Sequence, residues 1–77
     1  MIRTFTFTEY NKRLGTYAVN SMSEKIKAFF NSADIVVYGM PVGCSDVLYS
    51  VRGFLGSYDN LTFVELEQLL FGWSLGI

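Results

Sequence analysis

Gly39-Met40-Pro41-Val42-Gly43-Cys44-Ser45 is the stretch whose residue types and spacing come closest to ligand chemistry. It follows an apolar run and leads into a segment with helical spacing. Free N–H groups and the positive dipole end at a helix start hold anions such as phosphate. On that reading Gly39, Gly43, Cys44 and Ser45 form a small anion or nucleotide site. The spacing is not that of a Walker loop, and that motif's lysine has no counterpart here. An ordinary strand-to-helix connection accounts for the same residues.

Cys44 lies in this stretch, and a helix N-terminus lowers a thiol's pKa toward the nucleophilic thiolate. The chain contains no histidine to take up or relay the proton, and a lone cysteine more often serves as a small buried apolar side chain. The missing histidine also removes Ser-His and His-metal chemistry within one chain. Glu65 and Glu67 are two apart on a predicted helix and point in different directions, so they do not form a carboxylate pair. These residues predict a protein that is not an enzyme and needs no metal or cofactor.

Aromatic side chains are the second candidate. They make up 17% of the 77 residues, and 51% of the chain is apolar against 17% charged. A domain this short buries only about 60% of the surface its unfolded chain exposes, so some rings must stay near the surface. Tyr17, Tyr49, Tyr58, Phe71, Trp73 and Leu75 are the surplus left after a plausible core is filled. Such residues are enriched at the centres of protein interfaces. The alternative is that Trp73 plugs the core and the tyrosines edge it with their hydroxyls in water.

Charge adds a direction. Residues 1–52 carry six basic and four acidic side chains, whereas 53–77 carry Asp59, Glu65 and Glu67 and no Lys or Arg. The basic residues are scattered, which makes nucleic acid an unexpected partner even with Lys12 and Arg13 adjacent. A mildly acidic end would instead orient docking on a protein.

The elements that must position these residues read as ββαβαα. Ile2–Tyr10 alternates with period two and aims Phe5 and Phe7 at the core, and Asn11–Gly15 is a turn into a β-prone run at Thr16–Val19, closing a hairpin. Ser21 and Glu24 have capping-box spacing ahead of a helical stripe of Met22, Ile26, Phe29 and Phe30. Ile35–Tyr38 is a β-branched run fit for a central strand that ends at Pro41. Ser45 or Asp46 would cap a second helix with Val47, Leu48, Val51 and Leu55 on one stripe. Thr62 and Glu65 form a capping box for the last helix, with Gly72 as its C-cap, so Asn60-Leu61-Thr62 reads as a helix start rather than a glycosylation site.

The expected fold is a single α+β domain over 1–77, a three-stranded sheet with helices packed on one face. The one cysteine, the lack of a signal-peptide pattern at the start and the absence of an apolar run of about 20 residues point to the cytoplasm and away from membranes. The expected function is a non-catalytic protein-binding module, a homodimer or a small inhibitor or adaptor. A phage-encoded protein acting on host or defence machinery would have this size. The alternative is a small-ligand or nucleotide-binding protein using Gly39–Ser45.

Overall fold

Asn11 decides how the described part of the chain begins. A computed structural model describes residues 11–43 and 46–76, and the expected strand Ile2–Tyr10 lies outside them, as do Cys44 and Ser45. The Asn11 side chain accepts a hydrogen bond from the Leu14 N–H at 3.2 Å, capping helix α1 (Lys12–Asn20). The expected strand at Thr16–Val19 is therefore helical. Thr16 and Val19 suit a strand by propensity, but Leu14, Ala18 and Met22 also recur at helical spacing. Ala18, Val19 and Met22 are all buried in the core, and that tertiary packing outweighs propensity.

Helix α2 (Glu24–Ser32) follows after a three-residue break. Its N-cap is Ser23, whose hydroxyl accepts from Ile26 N–H, rather than Ser21, which ends α1. Ile26 and Phe29 are buried as the stripe predicted.

Three antiparallel strands come next: β1 (Ile35–Val42), β2 (Asp46–Gly53) and β3 (Gly56–Leu61), in spatial order β1-β2-β3. The helix expected after Asp46 is thus a strand. Val47, Val51 and Leu55 fit a helical stripe, but Val47, Tyr49 and Val51 also alternate, and β-branched and aromatic types favour the pleat. Pairing with β1 settles the choice, because it sets Val51 directly opposite Val37, and both are fully buried. β3 carried no clear signal in the sequence, and a β-bulge shifts its register between Tyr49 and Val51. Asn60, with φ 59°, lies in that irregularity, a left-handed conformation that asparagine tolerates.

β1 stands at one edge of the described sheet and β2 at its centre, and β1 runs through Pro41 to Val42. Gly39 exchanges two 2.7 Å backbone hydrogen bonds with Asn11 on the side away from β2. By strand alternation Pro41 directs its missing donor to that same side. It costs the β1–β2 ladder nothing, which is why a proline is accepted there.

Helix α3 (Phe63–Leu75) closes the described chain. The Thr62 hydroxyl accepts from Glu65 N–H at 3.2 Å and the Glu65 carboxylate accepts from Thr62 N–H at 3.0 Å, the predicted capping box. The helix passes Gly72, the expected terminus, and is capped by Gly76.

Ile35, Val37 and Val51 share one face of the sheet by their register, and the buried residues of all three helices join them in a single core. The architecture is therefore the expected α+β domain with helices on one face, in the order ααβββα over the described residues. Val36, Tyr38, Met40 and Leu48 lie on the opposite face, where Arg52 is ion-paired with the buried Asp59 at 2.8 Å.

Candidate functional site: the outward side of helix α3

The expected anion site loses its helix. Gly39 is buried inside β1 and donates its N–H to Asn11, and Gly43 takes φ 70° in the turn between β1 and β2. A depression of about 580 Å³ lies beside this turn, lined by Val42, Asp46, Val47, Leu48, Tyr49, Thr62 and Phe63. The charged group among these is a carboxylate, which repels phosphate. Among the described residues no three His, Cys, Asp or Glu side chains converge on a point that would hold a metal, and no helix is long and apolar enough to cross a membrane.

The six aromatic and apolar candidates separate into three groups. Tyr17 is exposed on α1, where its hydroxyl accepts from the Arg13 guanidinium at 3.2 Å. Tyr49 and Tyr58 are half-buried under the two ends of α3. Tyr49 meets Phe63 edge-on with ring centroids 6.4 Å apart, and burial pushes its phenol above the usual tyrosine pKa. Tyr58 meets Trp73 at 6.0 Å, so both rings and Trp73 belong to the support of α3 rather than to its outer surface. Phe71 and Leu75 do face outward, at 46% and 57% exposure.

What the sequence reading missed is the stripe to which Phe71 and Leu75 belong. Leu66 and Leu70 are fully buried, and that fixes the inner side of α3. On the outer side Val64, 58% exposed, begins a run through Gln68 and Phe71 to Leu75. The intervals of four, three and four residues are those of the seam positions of a coiled coil. This spacing was present in the sequence, but without knowing which side of α3 meets the sheet it could not be separated from core spacing. A helix apolar on both sides is ordinarily buried on both sides.

Helix α2 forms one bank of this surface. Ser23 and Ile26 face Glu67, Gln68 and Phe71 across a groove of about 320 Å³. The Lys25 ammonium stands 5.8 Å from the centroid of the Phe71 ring, a cation–π distance. Lys25 therefore flanks the seam on the side that also carries Glu67. The other bank carries Glu65 and Gly72, the latter exposed with open space where a Cβ would lie.

Comparison with protein-family models, with curated proteins and with solved structures finds no match to this chain.

Proposed function

We propose that this chain is a non-catalytic protein-interaction module, of the inhibitor or adaptor kind, that docks through the outward side of α3. One observation carries the reading: α3 packs Leu66 and Leu70 into the core and still turns Val64, Phe71 and Leu75 to solvent. Val64, Phe71 and Leu75 each keep about half of their surface in water, so a partner that covered them would gain about half of the value of full burial, about 1 kcal/mol each. Isolated exposed apolar residues are ordinary, whereas apolar residues gathered on one side of a helix, here interrupted only by Gln68, are the kind of patch that interaction surfaces use. The lack of histidine supports the non-catalytic part, and the single cysteine suits a reducing compartment such as the cytoplasm.

The experiment is capture from a cell lysate with the wild-type chain and with Phe71→Glu, each first shown by circular dichroism to be folded. The reading expects captured proteins that disappear with Phe71→Glu. It fails if both chains capture the same set or neither captures anything, provided that the wild type does not self-associate through Phe71.

A further inference from the structure

We propose that the occupant of the α3 seam is a second copy of this chain, with the two α3 helices packed antiparallel about a two-fold axis. The inference rests on the docking reading above and names its partner. Val64, Gln68, Phe71 and Leu75 sit at successive d, a, d and a positions of a heptad. Antiparallel packing opposes d with a. Val64 then meets Leu75 of the second copy, and Gln68 meets Phe71. A two-fold axis makes the surface complementary to itself, as an isologous dimer requires.

Charge selects this orientation. Helix α3 carries Glu65 and Glu67 near its N-terminus and no Lys or Arg. A parallel pair would gather four carboxylates at one end. The antiparallel pair keeps two at each end and opposes the helix dipoles favourably. Lys25 stands beside Phe71, on the bank that carries Glu67. In the antiparallel pair that bank of one copy faces the same bank of the other. Lys25 thus comes level with Glu67 of the second copy, and the axis repeats the contact. The exposed, side-chain-free Gly72 lets the second helix approach on the opposite bank.

The seam is short. The 13 residues of α3 span about 20 Å, and with the flank of α2 they cover less than the roughly 800 Å² per partner of a standard stable interface. A contact below that size belongs with the weak, reversible ones.

Sedimentation equilibrium on the full chain, from micromolar to millimolar concentration at low salt, tests this. The expected result is a monomer–dimer equilibrium weakened tenfold or more by Phe71→Glu. Lys25→Glu and Glu67→Lys should each weaken it several-fold, and the double variant should restore it, because the swapped charges still face each other. Failure of the double variant to recover overturns the antiparallel register. A wild type that stays monomeric at millimolar concentration overturns the second copy. If its capture of lysate proteins still depends on Phe71, docking through α3 stands with a different occupant, and if it does not, both readings fall.

Discussion

Replacing Gly15 by alanine should destabilise the protein although the residue lies in a helix, where alanine is the better former by about 1 kcal/mol. A Cβ built on Gly15 falls 2.1 Å from the Val37 carbonyl oxygen, 2.4 Å from its carbon and 2.9 Å from Tyr38 N. All three are backbone atoms of β1, which cannot rotate aside. Restoring ordinary contact requires α1 to withdraw by roughly 1.3 Å from β1. Nearby, the Asn11–Gly39 pair of 2.7 Å hydrogen bonds ties the start of α1 to β1. Overpacking costs about 1–3 kcal/mol, and loosening those two bonds adds about 1 kcal/mol each. Less the propensity gain, the net loss is about 3 kcal/mol, which in a domain of this size lowers Tm by roughly 12–24 °C. Gly72→Ala is the control: it too is helical, but its Cβ meets nothing within 4 Å, so it should gain up to about 1 kcal/mol. Thermal and urea unfolding of both variants measure these changes. A Gly15→Ala protein as stable as wild type or more so would refute the close approach of α1 to β1.

Thr62→Ala removes the acceptor for Glu65 N–H and should cost about 1 kcal/mol by urea unfolding, with a loss near zero refuting the capping box. Arg52→Met leaves the Asp59 carboxylate, 8% exposed, without its 2.8 Å ion pair. Because Arg52 itself keeps 26% of its side chain in water, the loss should sit at the low end for a broken buried pair, about 3 kcal/mol; a loss under half that would show the pair to be solvated. Tyr49 has its phenol pKa raised by burial, so the unfolded chain releases that proton first. Stability should therefore fall as pH rises past about 10, less steeply in Tyr49→Phe, and identical alkaline profiles for the two proteins would show that Tyr49 does not contribute.

Elements written in local chemistry could be read from the sequence. The Thr62 and Glu65 side chains satisfy N–H groups within three residues of themselves, so α3 needs no distant partner to begin. Ile26 and Phe29 recur at helical spacing beside a serine cap, and the β-branched run at Ile35–Val37 favours a pleat wherever it packs. The α+β class and the single layer of helices follow from those three elements.

The rest was decided by contacts between residues far apart in sequence. Asn11 serves equally as a turn residue or a helix cap, and Gly15 equally as a turn glycine or as the one residue small enough to lie on β1. The backbone of Val37 makes the choice. Val47 to Leu55 satisfies both a helical and a strand period, and the register that sets Val51 against Val37 selects the strand, removing the helix start on which an anion site depended. The same holds for the candidate interface. Sequence alone marks Phe71, Trp73 and Leu75 as surplus apolar residues, but spacing is identical for the two sides of an apolar helix. Burial of Leu66 and Leu70 against the sheet leaves Val64, Phe71 and Leu75 outside, and that division exists only once the helix has docked.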